Sequence, residues 1–204
     1  MLDEIKLAFR ENKWAIILSI AILLVSIVLG YFLEPYLHSY LNPVVEDLTH
    51  KVQTGVITLT FGDIFFNNLK IILQMFVFGI AFCFSVLILG FNGFFVGYYV
   101  ASSSDLVRVL LLIIPHGIFE FSSCILACAS GLILFNFIIK FIQALWHDES
   151  SSVKVSLKNS FSASSKKLRQ AIIIFCISLI LMAIAGFIEV YLTLPIAEYI
   201  IKFL

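Results

Sequence analysis

Within an otherwise apolar stretch, His116 and Glu120 stand four residues apart, and a further carboxylate, Glu189, lies in a later apolar run. On a helix that spacing puts His116 and Glu120 on one face. One histidine nitrogen and two carboxylate oxygens make a workable first shell for zinc with water in a fourth position, or a site that holds and passes protons. Asn67 and Asn68, before another apolar run, would add two amides to the same polar nest. In the purely structural alternative, Asn, His and Glu hydrogen-bond one another and cap interrupted helix ends, holding the bundle together. Both alternatives start from one cost. A charge at the centre of a bilayer is unfavourable by about 2.5–3.5 kcal/mol even on the lenient insertion scale, so it requires a partner.

The elements that must position these groups are membrane helices. Of 204 residues, 61% are apolar and 13% charged, and the mean hydropathy is +1.08, more apolar surface than one soluble core of this size can hide. A helix needs about 20 apolar residues to cross a hydrocarbon core of roughly 30 Å. Solid blocks of Ile, Leu, Val and Phe meet that length and lack the ~10-residue alternating strands of a barrel. The expected fold is therefore all-α: a polytopic transmembrane helical bundle, one membrane domain over residues 1–204, with the lipid bilayer as its solvent. A formal net charge of zero gives no basic excess for nucleic acid. Cys83, Cys124, Cys128 and Cys176 all lie in apolar runs and read as small buried hydrophobes.

Charge placement sets the expected path. Residues 1–13 carry Lys6, Arg10 and Lys13, a basic lead-in suited to the cytoplasmic surface. A first span over 14–33 ends at Glu34-Pro35, since proline disfavours helix at the residue before it. An outer loop over 34–66 holds Glu34, Glu46, Asp47 and Asp63 against Lys51. The linker 143–170, with Lys154, Lys158, Lys166, Lys167 and Arg169, is the largest basic cluster and is expected inside, as a flexible loop or an interfacial helix.

With both the N-terminus and that linker inside, four crossings must precede the linker and a fifth, 171–194, must follow it, leaving the C-terminus outside. Between 71 and 142 the expectation is crossings at 71–89 and 118–142 and an interrupted one over 92–114, with breaks near 90–93 and 102–117. Ser102–Asp105 and Arg108 are expected to be buried against protein. Asn92, Gly93 and Gly97 read as close-packing or helix-break positions, and Pro115 and Gly117 as a break before a new helix. Asp105 and Arg108 read as a helix-start pair with Ser102–Ser104 as cap residues.

Taken together, Asn67-Asn68 before a span, Asn92-Gly93 with Gly97, Pro115-His116-Gly117-Ile118-Phe119-Glu120, Gly131 and Glu189 resemble the stage II sporulation protein M (SpoIIM) family over about residues 61–195. The Pro-His-Gly-x-x-Glu element is the most specific part. Ser122, Ser123 and Cys124 stand where relatives are commonly more alanine-rich. The resemblance implies a multi-spanning membrane protein that works with partner proteins; the family's namesake acts with two partners in septal wall remodelling.

The expected function is thus a non-enzymatic component of a membrane or cell-envelope assembly, partnered by other membrane or envelope proteins or by further copies of itself. Two alternatives draw on the polar cluster. One is a transporter or channel-like subunit. The other is an intramembrane metal-dependent hydrolase using His116, Glu120 and Glu189, although no second histidine, His-Glu-x-x-His run or phosphate loop accompanies them.

Overall fold

In hydrocarbon every backbone N–H and C=O must find its partner within the chain, and the long apolar blocks meet that demand as helices. The computed structural model describes residues 2–53, 60–148 and 152–203, without the side chains of residues 44, 48–53 and 83. Its helices are α1 (Leu2–Glu11), α2 (Lys13–Gln53), α3 (Phe61–Val77), α4 (Phe82–Ser102), α5 (Leu106–Trp146), α6 (Val153–Tyr191) and α7 (Thr193–Ile201). Among the described residues five helical stretches are long and apolar enough to cross a membrane: Lys13–Pro43, Phe61–Ile80, Phe84–Ser102, Leu106–Trp146 and Val153–Tyr191. The chain is an all-α membrane protein, a helical bundle whose five candidate spans match the expected number.

Inter-helix contacts give the directions. Gly93 meets Leu23 and Ser26, and Gly97 meets Ile27 and Tyr31, so α2 and α4 run parallel. The Phe82–Phe135 ring contact and the Asn92–Cys124 pair make α4 antiparallel to α5. Ser123 and Ser178 join α5 to α6 at one level and Phe137 and Phe161 at another, which makes those two antiparallel as well. Phe61 lies by Gly186 and Phe76 stacks on Phe175, so α3 opposes α6 and therefore α4.

The boundaries differ from the sequence expectation. No break falls at Gly90–Gly93 or at Pro115; α4 and α5 continue through both. One lost hydrogen bond at proline costs about 3 kcal/mol and a helical glycine about 1, less than exposing several backbone groups to lipid. The same reasoning carries α2 past Pro35 and Pro43 to Gln53, where a loop was expected. The chain reverses at two places, the first inside the expected 102–117 break and at the expected Asp105–Arg108 helix start. Ser103–Asp105 joins α4 to α5, and Asp105 caps α5 by accepting from the Arg108 backbone N–H at 3.0 Å. Asp105 and Arg108 are exposed there, not buried against protein.

The other reversal divides the expected 71–89 crossing. A 3-10 turn at Phe78–Ile80 follows α3, and Ala81 is extended. Gly79 packs directly on Gly131 of α5, leaving no room for a Cβ, and the Ser85 hydroxyl donates to the Met75 carbonyl. A side chain thus replaces the helical partner lost at the break.

The basic linker is helical from Val153 on, with residues 149–151 outside the described residues. α6 runs unbroken from Val153 into its span, antiparallel to the end of α5, and Ser156, Ser160 and Ser164 form its buried side. An interfacial helix would lay Val153, Leu157, Phe161 and Leu168 on the membrane; on this hairpin Val153, Leu157 and Phe161 are exposed and Leu168 is half-buried. The lead-in α1 docks on α6: Glu4 pairs with Arg169, Lys166 donates to Glu11 at 2.7 Å, and Gln170 donates to Glu11 at 2.8 Å. Asn12 donates to Gln170 at 2.9 Å and accepts from Lys167 at 2.8 Å.

Candidate functional site

Because α5 continues as helix through Pro115, His116 and Glu120 project from one face, as their spacing requires. Because α6 is antiparallel to α5, Glu189 near its end arrives at the same depth. The three offer ligand atoms that all lie within 4.8 Å of one another. His116 Nε2 and Glu120 Oε2 are 3.9 Å apart, and their side chains are only 14% and 19% exposed. The expected trio thus comes together between α5 and α6.

Asn67 and Asn68 are placed differently. The α3 residues beside Gly186 are Phe61 and Phe65, so the two amides sit about a turn deeper than Glu189. Asn67 is exposed, and among the described residues neither asparagine hydrogen-bonds to the trio. Asn92 lies one layer below, where its Nδ2 donates to Cys124 Sγ at 3.8 Å. Gly93 and Gly97 are buried in the α2–α4 contact, as the packing reading expects. Gly117 is also buried, but the atoms nearest its face belong to Ile113 and Phe121 of its own helix. Of the cysteines, Cys124 and Cys128 are buried and Cys176 is exposed on the outside of the bundle, while the side chain of Cys83 lies outside the described residues.

Two contributors escaped the sequence reading. Thr193, the buried first residue of α7, lies 3.3 Å from His116 Nδ1 and donates its own hydroxyl to the Ile188 carbonyl at 3.1 Å. With that hydrogen committed, Thr193 Oγ1 can only accept, so the network assigns the proton to Nδ1 of His116. In the neutral ring Nε2 is then a bare acceptor, and it is Nε2 that faces Glu120. Below this layer, Ser123 and Ser178 exchange hydrogen bonds reciprocally: each hydroxyl donates to the other residue's carbonyl, at 2.7 and 2.8 Å, tying α5 to α6. Serines within an apolar run were the available signal for that pair; for Thr193, seventy-seven positions from His116, there was none.

A cleft of about 610 Å³ lies between α5 and α7 toward the end of the bundle, lined by Asp105, Arg108, Leu112, Leu194 and Glu198 among others. Leu112 is one helical turn from His116, and Leu194 adjoins Thr193.

An uncharacterised protein of Methanocaldococcus jannaschii is 34% identical over 161 residues, 76% of this chain and 82% of that protein. A second uncharacterised protein of that organism is 27% identical over 97% of this chain and 89% of its own length. No solved structure matches. The stage II sporulation protein M family matches residues 19–194, which include every span's apolar core and all of His116, Glu120, Glu189 and Thr193; the chain belongs to that family.

Proposed function

We propose that the chain is a non-enzymatic subunit of a membrane or cell-envelope assembly, with its N-terminus in the cytoplasm and its C-terminus outside. The observation that carries this reading is the helical hairpin. The hydrogen-bonded belt of Glu11, Asn12, Lys166, Lys167 and Gln170 lies where α2 begins its span. From Gln170 back to Val153, α6 extends about 25 Å further, beyond the apolar core that the spans themselves define. On that extension Trp146, Val153, Leu157 and Phe161 are exposed beside Lys154 and Lys158. Apolar groups displayed outside lipid on a rigid element mark a protein-binding surface. The family resemblance, with its partnered namesake, points the same way.

The test is isolation of the chain from its native membranes in mild detergent. Wild type is expected to co-purify with a partner at fixed stoichiometry, and Leu157→Glu with Phe161→Glu to lose it while keeping wild-type helix content. A lone chain in the wild type, or full retention of the partner in the variant, overturns the reading. The transporter alternative gains no support from interrupted helices, because α4 and α5 continue through Gly93 and Pro115.

A further inference from the structure

The cluster contains more negative charge and acceptor character than its own residues balance. Glu120 faces the His116 nitrogen that carries a lone pair, since Thr193 and Ile188 hold the ring proton on the far side, and Glu189 brings a second carboxylate to within 4.8 Å of both residues. Among the described residues neither carboxylate is paired with a lysine or arginine. Three acceptors converging from two helices lack a shared positive centre.

We propose that His116, Glu120 and Glu189 bind one divalent cation of the zinc class, which clamps α5 to α6. The donor set selects the metal. Magnesium and calcium take oxygen shells, whereas an imidazole with two carboxylates suits zinc and its neighbours in the first transition row. Charge favours it as well: a dication with two carboxylates and a neutral imidazole sums to zero, the state least penalised in a low-dielectric bundle. In a tetrahedral zinc site neighbouring ligand atoms stand about 3.4 Å apart, so separations of up to 4.8 Å would close by up to about 1.4 Å. The Thr193 hydroxyl would act as the outer partner that fixes the imidazole of a metal-bound histidine. The cleft at the end of the bundle begins one helical turn from His116, at Leu112, and next to Thr193, at Leu194.

The experiment uses the full chain in detergent, freed of any polyhistidine tag, stripped with chelator, reloaded with zinc and passed through gel filtration before elemental analysis. Wild type is expected to retain about one zinc per chain, and Glu189→Gln and His116→Ala less than about a tenth of that. Circular dichroism and elution volume establish that each variant is folded. Should His116→Ala fail to fold, His116→Cys decides in its place, since a thiolate is a competent zinc ligand and is expected to keep the metal. Cobalt in place of zinc is expected to give the visible bands of a tetrahedral site, lost in Glu189→Gln. A wild-type chain that retains no zinc after loading, or a folded Glu189→Gln that retains as much as wild type, overturns the proposal. The readout needs no partner protein, so it stands or fails independently of the assembly reading.

Discussion

Thr193 determines which nitrogen of His116 carries the proton, and its removal has two separable effects. Thr193→Val leaves Nδ1 without its acceptor in a buried site, which is expected to lower unfolding stability by about 1–2 kcal/mol. It also frees the ring to turn, which is expected to weaken zinc retention by about 10-fold or more. Thermal unfolding and zinc titration of the same preparation check both. In chelator-stripped protein Glu120 and the bare Nε2 face each other as two acceptors, so Glu120→Gln, whose amide can donate to Nε2, is expected to be more stable than Glu120→Ala, which supplies no donor, by about 1–3 kcal/mol. Equal stability of the two variants would show that Nε2 has another partner.

A second prediction at this scale concerns Glu11. Hydrogen bonds from Lys166 and Gln170 lower its pKa from an ordinary 4.5 to about 2. A carboxylate lowered on folding contributes stability that is complete above its unfolded pKa and lost as pH falls through the folded one. Wild type is therefore expected to lose more of its melting temperature than Glu11→Gln between pH 4.5 and 2. Parallel melting curves for the two proteins would refute the α1–α6 tether. The trio was legible in the sequence because a four-residue spacing and a topological parity suffice to join it. Asn67 and Asn68 were misplaced because their depth depends on where α3 ends, and Gly79 and Ser85 set that point through contacts with no local pattern.

Between elements, lipid offers helices no hydrophobic reason to associate, so close backbone approach and hydrogen bonding must do so. Gly30 packs on the Phe94 carbonyl and Gly97 on the Ile27 carbonyl, so α2 and α4 touch backbone to backbone with no space for a Cβ at either glycine. Gly97→Val is expected to force the pair apart and cost about 1–3 kcal/mol, measured as a fall in unfolding midpoint in detergent. Gly90→Ala, where an added Cβ would meet only the Ser26 hydroxyl at 3.5 Å, is expected to be nearly neutral or mildly stabilising and serves as the control. If both behave alike, the contact is not as close as described. Glycine spacing made Gly93 and Gly97 readable as packing sites, whereas Gly30 and the Gly79–Gly131 contact were not, because each needs a partner helix to reveal it. The prolines misled in the opposite direction: in water Pro35 and Pro115 would end a helix, but beside lipid the cost of an open backbone outweighs one missing hydrogen bond.

For the whole molecule, helix length against membrane thickness fixes the arrangement. α5 and α6, at 41 and 39 residues, are about 60 Å long, twice a hydrocarbon core of roughly 30 Å, so their shared extension must leave the membrane on one side. Lys140, Lys154, Lys158, Lys166, Lys167 and Arg169 lie on that extension or at its foot, and the docked lead-in adds Lys6 and Arg10 to the same side. At the other end Arg108 and Lys202 stand with Glu34, Asp105 and Glu198, a smaller basic count. The positive-inside rule thus supports the proposed orientation, with the hairpin and α1 toward the cytoplasm and α7, after five candidate spans, outside. Single cysteines at Val153, exposed on the hairpin, and at Phe203, exposed past α7, test this in intact cells or spheroplasts after the native cysteines are replaced by serine or alanine. A membrane-impermeant maleimide is expected to label Phe203→Cys from outside and Val153→Cys only after permeabilisation. Labelling of both from one side would exclude an odd number of crossings. The reverse pattern would place the hairpin and its apolar face outside and move the proposed partner from the cytoplasm to the envelope.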